Sequence, residues 1–275
     1  MIRGRMPVND RIAVGLVQMR CEPGNKAANL ERAEHLLSGL AGRVGIACLP
    51  EMFEVGYDLA GIGPALFELA EPVPGPTSED LATLARKLGL AIVAGVTERD
   101  PDVEGLLYDT TVLLDHQGEL VGRYRKSHLH PSEHGFFRPG NALPVFALAG
   151  LRIGIAVCFE HAFPQIFTTL ARRGAALVVN PSAVPVGFGH LQDLRTRARA
   201  QDNQLFVAAV NHVGKEGAVT YCGRSQVADP RGEVVAMAPD AAPAAIVVEL
   251  DLEIIRQQRR QEPTFRALRP ELYEL

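Results

Sequence analysis

Three ionisable residues stand in the same local setting. Glu51 follows the apolar run "VGIACLP", Lys126 follows "LVGRYR", and Cys158 follows "RIGIAV". Each lies where a β-rich stretch gives way to polar residues, and in parallel sheets the carboxyl ends of strands are where active sites form. A thiol, a carboxylate and an ammonium together make a nucleophile, a base and an electrostatic stabiliser, the set that covalent acyl transfer needs. Each residue alone also has a plain reading: a solvated loop carboxylate, a surface ammonium, a buried thiol. Their recurrence at three strand ends favours the chemistry. A free thiol ionises near pH ~8.5, and a neighbouring cation or helix amino terminus lowers that value. Lys126 and a helix beginning near Pro164 are the two groups available, so the expectation is a Cys158 held toward thiolate.

The elements that must position these side chains read as follows. "RIAVGLVQM" (residues 11–19) predicts a strand, and "NKAANLERAEHLLSGLAGR" a helix with Leu30, Ala33, Leu36, Leu37 and Leu40 at helical spacing. "VGIACLPEMF" predicts a strand stopped by Pro50. "PTSEDLATLARKLG" predicts a helix capped near Thr77 or Ser78 and closed by Gly89. "LAIVAGVT", "LYDTTVLLD" and "ELVGRYR" follow as strands, the last two joined as a hairpin at "HQG". The second half repeats the rhythm: a strand to Cys158, a helix from about Pro164 to Arg173 stopped by Gly174, the strand "AALVVN", the helix "LQDLRTRARAQDNQ" and the strand "LFVAAVN". Two strands around an Asp229-Pro230-Arg231-Gly232 turn and a final strand "AAIVVEL" complete it. Two similar halves of strands and helices predict paired sheets.

Composition limits the alternatives. With 275 residues, 47% of them hydrophobic, the chain is long enough to bury a full α/β core, and no Ser/Gly linker or charged low-complexity block divides it. One domain is expected. The formal net charge is -4, and Lys and Arg are scattered apart from a short run at Arg256 to Arg260, which argues against nucleic acid or an anionic membrane as partner. No apolar run approaches a bilayer span, and the start "MIRGRMPVNDR" carries positive charge without the apolar stretch of a signal peptide, so a cytoplasmic location is expected. Cys21, Cys48, Cys158 and Cys222 lack paired short spacings, which points to reduced thiols rather than a disulfide framework or zinc ribbon; Cys48 and Cys222 fit simple burial.

The segments "LPEMF", "YRKSHLH", "EHGFFRPG", "GIAVCFEHAFP", "RARAQDNQLFVAAVN" and "GRSQVADPRGEVVA" together resemble the nitrilase superfamily of carbon–nitrogen hydrolases, in the right order from about residue 11 to 250. The resemblance implies a four-layer α-β-β-α sandwich, a single domain over residues 1–275 with its core at about 11–250 and a tail at about 251–275, and a homodimer or larger homo-oligomer. It implies hydrolysis of a small linear amide or N-carbamoyl compound through a Cys158 thioester, with Glu51 as general base, Lys126 as catalytic lysine and Glu133 as a second glutamate supporting that lysine and positioning substrate. Lys126 and the backbone N–H of Phe159 would hold the oxyanion. Asn180, Ser182 and Ala183 in "NPSAVPVGFGH" would lie near the acyl group. Glu160 is either a contact for a cationic substrate group or an anchor for the turn after the nucleophile. No metal and no cofactor is expected. Phe159-Glu160-His161 departs from the Tyr-Asp, Trp-Asp and Asn-Asp versions of several branches, and His190 stands where many members place an aromatic, so the branch stays open.

Five histidines offer other readings. His128, His130 and His134 have the spacing of a metal-ligand cluster, but a loop that shapes the pocket or an interface is the reading preferred. His161 invites a Cys-His pair, which its closeness in sequence to Cys158 disfavours. His212 reads as a packed residue. Nitrile hydrolysis, acyl transfer to an amine and a non-catalytic binding role remain as alternatives to amide hydrolysis; the intact Glu51-Lys126-Glu133-Cys158 set speaks against the last.

Overall fold

Strand segments that are apolar at nearly every position, such as "AIVAGV" and "LVVN", belong to sheets covered on both faces. The computed structural model describes residues 10–273 and contains two such sheets; residues 1–9, the larger part of the "MIRGRMPVNDR" start, lie outside the described residues. In chain order the elements are β1 (Arg11–Gln18), α1 (Lys26–Ser38), β2 (Ile46–Cys48), α2 (Leu59–Ile62), α3 (Ala65–Leu69), α4 (Pro76–Leu88), β3 (Ala91–Arg99), β4 (Leu107–Leu114) and β5 (Leu120–Arg125). Then come β6 (Val145–Leu148), β7 (Leu151–Ile155), α5 (Pro164–Arg172), β8 (Leu177–Ser182), α6 (Gly189–Asn203) and β9 (Phe206–Asn211). The hairpin β10 (Val213–Glu216) and β11 (Val219–Cys222) precedes β12 (Gln226–Ala228), β13 (Val234–Met237), β14 (Ala244–Asp251), α7 (Glu253–Gln261) and α8 (Thr264–Ala267).

One six-stranded sheet runs β14-β1-β2-β3-β4-β5 and the other β13-β12-β9-β8-β7-β6. The centre of each is parallel, through β1-β2-β3 and β7-β8-β9, and the outer pairings are antiparallel. Val14, Leu16, Ile46 and Val93 of the first sheet pack face to face with Ile153, Ile155, Val179 and Phe206 of the second. The outer face of the first sheet is covered by α1 and α4 through Ala33, Leu37, Leu81 and Ala85. The outer face of the second is covered by α5 and α6 through Ile166, Phe167, Leu170 and Ala200. The architecture is therefore the four-layer α-β-β-α sandwich expected.

Local chemistry explains the boundaries. The α4 helix differs from expectation at its start: Gly75 is the capping residue, Pro76 takes the first helical position, where its missing N–H is no loss, and Ser78 accepts the Gly75 N–H at 2.8 Å from inside the helix. Gly89 closes that helix in the left-handed region at φ 66. Gly95 of β3 is required by close approach, because a Cβ there would lie 2.7 Å from the Cα of Glu51 and from the Pro50 carbonyl oxygen. Without that glycine the turn carrying Glu51 could not lie against the sheet. The segment after residue 250 is packed into the fold: Ile255 enters the inter-sheet core, Phe265 joins the α5/α6 cluster, and the Glu262 carbonyl accepts from the Gln204 side chain at 2.6 Å. Among the described residues no helix is long and apolar enough to cross a membrane.

Candidate active site

Strand ends of both sheets converge on one buried point. Glu51 leaves the end of β2, Asp109 sits on β4 and Lys126 leaves the end of β5, all in the first sheet, while Cys158 leaves the end of β7 in the second. Glu133 joins them from a single 3-10 turn at Pro131–Glu133. The Lys126 ammonium lies 2.7 Å from Glu51 Oε1, 2.6 Å from Glu133 Oε1 and 3.4 Å from Asp109 Oδ2, and all four side chains are fully buried. The lysine backbone is pinned as an extension of β5, donating its N–H to the Asp109 carbonyl at 2.9 Å and accepting from Gly140 N–H at 2.8 Å. Glu133 Oε2 accepts the His130 N–H at 2.8 Å, and Glu133 Oε1 also takes the Tyr57 hydroxyl.

Three carboxylates around one ammonium leave two negative charges in excess if all ionise, which a desolvated site cannot sustain. Asp109 relieves the excess. Burial, followed by the charge of Glu51, pushes its carboxyl well above the usual range against the pull of Lys126, and neither of its oxygens has a hydrogen-bond partner among the described residues. That shift favours its protonated form. Burial would lower the Lys126 ammonium, but Glu51, Tyr57, Asp109 and Glu133 outweigh it and hold that pKa well above the ordinary lysine value. Asp109 was not among the residues expected from sequence; its signal was a lone acid inside the otherwise apolar and hydroxylic strand "LYDTTVLL".

Cys158 occupies the left-handed region at φ 43, a conformation uncommon for a residue with a Cβ. Glu160 holds it there. Its Oε2 accepts the Val157 N–H at 2.6 Å, and its Oε1 accepts the Tyr124 hydroxyl at 2.7 Å, the Ser127 N–H at 2.8 Å and the Ser127 hydroxyl at 2.6 Å. Burial would raise this carboxyl, but hydrogen bonds from His128, Ser127, Tyr124 and Val157 bring it below the ordinary glutamate value. Glu160 thus ties the turn of Cys158 to the loop of Lys126, which matches the anchoring role and not contact with a cationic substrate. Asn180 and Ser182 also stand behind Cys158: Asn180 Nδ2 donates to the Ala156 carbonyl and, at 3.5 Å, to the Cys158 carbonyl, while Ser182 donates to Asn180 Oδ1 at 2.9 Å. Phe159 and Ala183 line the cavity beside Cys158.

The expectation of a resting thiolate is corrected. Burial first, then the charge of Glu51, pushes the Cys158 thiol well above its ordinary value, and Lys126 with the Ala183 N–H offsets only part of this. The α5 amino terminus does not help, because the 3-10 turn Cys158–Ala162 separates the two. A thiol that keeps its proton needs a base beside it.

The histidines sort by contact. The His128 ring packs on Phe163 at 4.4 Å and the His130 ring meets Phe159 edge-on at 5.3 Å, each with Nδ1 beside a neighbouring serine hydroxyl, so they wall the Cys158 turn. His134 is exposed, and these three do not form a ligand cluster among the described residues. His161 is pushed down to about 3 by burial and by Arg195 and Arg199, and its Nε2 accepts from Arg195 at 3.1 Å; at neutral pH it is uncharged and a poor base for a thiol. His212 is buried with Nε2 2.5 Å from the Glu51 carbonyl oxygen and Nδ1 2.7 Å from Glu216 Oε1. Glu216 in turn accepts the N–H groups of Cys21 and Tyr57 at 3.2 Å and 3.0 Å. Cys21, His212 and Glu216 are close enough together to resemble a metal site, but both ring nitrogens are already engaged as donors.

That imidazolium gives a pH prediction. Burial would lower His212, but Cys21 and Glu216 hold it well above 6.5. A group whose folded pKa exceeds its unfolded value contributes fully below the unfolded value and loses that contribution as pH rises through the folded one. The stability advantage of wild type over His212→Gln, measured by urea unfolding from about pH 6 to about pH 10, is expected to shrink as pH climbs. An advantage constant across the range would mean a neutral ring.

Cys158 opens into a cavity of about 430 Å³ lined by Tyr57, Phe159, Ala183, Phe188, Leu191 and Tyr221 among others. Its size suits a small molecule. The profile of the family described as carbon-nitrogen hydrolase matches residues 13–260. The chain is 36% identical over 281 residues to the deaminated glutathione amidase of Homo sapiens, covering 94% of this chain and 83% of that protein. It is 33% identical over 252 residues to a nitrilase of Pyrococcus abyssi, covering 90% and 93% respectively. A solved structure of the amidase from Nesterenkonia sp. AN1, which shows covalent addition of the acetamide moiety of fluoroacetamide at the active site cysteine, matches with a TM-score of 0.80 at 26% identity, covering 96% of this chain and 100% of that one. A buried carboxylate-ammonium cluster beneath a cysteine on a four-layer sandwich, with a family match over nearly the whole chain, places this protein among the carbon–nitrogen hydrolases of the nitrilase superfamily.

Proposed function

We propose that this hydrolase cleaves the C–N bond of small linear amides, N-carbamoyl compounds included, through a Cys158 thioester. The observation that carries the reading is the buried, salt-bridged Glu51-Lys126-Glu133 cluster, whose charges act on the Cys158 thiol. Glu51 takes the thiol proton as sulfur attacks the carbonyl carbon, and the S–C bond forms. Lys126 and the Phe159 N–H stabilise the negative oxygen, which ordinary carbonyl oxygens do not require to the same degree. The tetrahedral adduct collapses, the C–N bond breaks, and Glu51 returns the proton to the leaving nitrogen, which departs as ammonia from a primary amide or as the amine from an N-carbamoyl compound. A water then enters, Glu51 takes its proton, and hydroxide cleaves the thioester to give the acid and restore the thiol. Glu133 keeps Lys126 charged and in place, and Tyr57 buttresses Glu133. Four free thiols fit a reducing cytoplasm as the place of action.

Intact-mass spectrometry with parallel ammonia detection tests this reading. Wild type mixed with pooled amides and N-carbamoyl amino acids is expected to release ammonia and carry an acyl adduct that maps to Cys158, whereas Cys158→Ala carries none. Turnover confined to nitriles, or ammonia release that persists in Cys158→Ala, would overturn it.

A further inference from the structure

Two residues that carry a Cβ take the left-handed backbone beside the reacting groups. Cys158 is one, held by Glu160, and Met52 is the other, at φ 44 directly after Glu51. Such a residue stays there only where its surroundings over-determine it. The Met52 side chain is fully buried in an apolar cluster with Val55, Leu59 and Phe137, which anchors one end of the turn. The carbonyls on either side of Glu51 are satisfied nearby: Pro50 accepts the Gly95 N–H at 3.2 Å and Met52 accepts the Gly56 N–H at 2.9 Å. The Glu51 carbonyl between them receives a single hydrogen bond among the described residues, from His212 Nε2 at 2.5 Å, far along the chain. That donor is itself locked. His212 gives its N–H to the Ser182 carbonyl at 3.2 Å, Val213 gives its own to the Met19 carbonyl at 3.0 Å, the Tyr221 ring lies 5.4 Å away, and Glu216 Oε1 accepts from Nδ1 at 2.7 Å. Glu216 is held in turn by the N–H groups of Cys21 and Tyr57. Neither His212 nor Glu216 lines the cavity, so the pair acts without touching substrate.

We propose that His212 is a positioning residue for Glu51, and that Glu216 is the residue that aims it. The contact reaches from the end of β9 in the second sheet into a turn of the first and fixes the peptide that follows the base. This rests on the reading of Glu51 as the base of an amide hydrolase. What the contact fixes is a carboxyl with one oxygen committed and one left over: Oε1 lies 2.7 Å from the Lys126 ammonium, while Oε2 is buried with no hydrogen-bond partner among the described residues. The unpartnered oxygen is the one that takes the thiol proton, and a carboxyl held through its other oxygen alone can swing about that contact. A displacement of about 1 Å in a reacting group costs on the order of 10²-fold in rate. This role of His212 is separate from its contribution to stability, since it depends on the Nε2 donor and not on the charge of the ring.

The test separates the two ring nitrogens. An asparagine amide at position 212 reaches the place of Nδ1 but falls short of Nε2, whereas a glutamine amide reaches Nε2 and can still donate to the Glu51 carbonyl. Both remove the imidazolium. Ammonia release from propionamide, butyramide and glutaramate gives kcat and KM for wild type, His212→Asn and His212→Gln, each alone and beside Glu51→Gln, with the folded fraction of each taken from its urea unfolding curve. His212→Asn is expected to lower kcat about 10- to 100-fold with KM changed less than about threefold, and His212→Gln to recover most of that loss. Beside Glu51→Gln, which has no base left to misplace, His212→Asn should cost less than about threefold, because residues that act as a unit are not additive. Equal kcat in His212→Asn and His212→Gln, or a loss in His212→Asn that is undiminished beside Glu51→Gln, would overturn the proposal. If neither histidine variant folds, Glu216→Gln takes their place: it keeps an oxygen for the Cys21 and Tyr57 N–H groups, and its fall in kcat should likewise shrink beside Glu51→Gln, an undiminished fall again overturning the proposal. Absence of ammonia from all the amides with wild type would instead bring down the amide-hydrolase reading, and this role with it.

Discussion

Lys126→Met is expected to lower the stability of the folded chain by about 3–5 kcal/mol and to abolish measurable turnover. The stability loss follows from what the substitution leaves behind. Glu51, Glu133 and Asp109 would remain fully buried around an apolar side chain, and breaking a buried pair by removing one partner costs about that much because the other charge stays desolvated. Methionine has nearly the reach of lysine, so a cavity contributes little. The sign of the pH dependence separates this cause from poor packing. Without the ammonium, the Asp109 carboxyl keeps the upward push of burial and loses the offset of Lys126, so the folded state regains stability as acid neutralises it. The deficit of Lys126→Met relative to wild type should therefore narrow between about pH 7 and about pH 5 in urea unfolding. A deficit independent of pH would mean that lost packing, not stranded charge, is responsible. Turnover is lost for a separate reason, since the cation that stabilises the oxyanion is gone; removal of one such donor alone costs about 10²–10³-fold.

Glu51→Gln is expected to lower kcat/KM by about 10³-fold at neutral pH while leaving Cys158 in place. Glutamine keeps the volume and an oxygen that can face Lys126, so the fold is retained, but it cannot take the thiol proton. Burial and the charge of Glu51 push the Cys158 thiol up, which calls for a base beside it. Hydroxide in solution can replace it in part. The variant's rate should rise steadily with pH over the range in which wild type is level, because each pH unit generates more thiolate. If Glu51→Gln retained activity within about tenfold of wild type with an unchanged pH profile, Glu51 would not be the base and the proton would have to leave by another route. Asp109, another acid of the cluster, has its carboxyl pushed well above the usual range by burial and the charge of Glu51, which disfavours it as the acceptor.

The difference between what was legible in the chain and what was not has a physical origin. Glu51, Lys126 and Cys158 could be found because each follows an apolar strand whose pattern ends abruptly, and that ending is written in adjacent residues. The hairpin of β4 and β5, the Gly89 stop and the turn at Asp229–Gly232 were readable for the same reason, since turn chemistry is local. Glu133 entered only through resemblance to a family, because one acid in a polar loop carries no local mark. Asp109 was hidden within a regular strand, where its neighbours say only that it faces one side of a sheet. Its charge environment depends on β5 placing Lys126 beside it, an outcome of antiparallel register. The protonation state of Cys158 was misjudged for a related reason: sequence shows which charges exist, whereas desolvation and the distances among them decide which dominates. Glu160, one residue from Phe159, faces into the protein while Phe159 faces the cavity, and only the turn at φ 43 decides that. His212 acquires its place beneath Glu51 from a contact across 161 positions. The sequence by itself determined the central strands and the main helices of both halves and the strand-end positions of Glu51, Lys126 and Cys158, because periodicity and turn chemistry act between near neighbours. Only the tertiary structure decided the charge balance of the site and the shape of its cavity, because burial and Coulomb interactions depend on how distant segments are brought together.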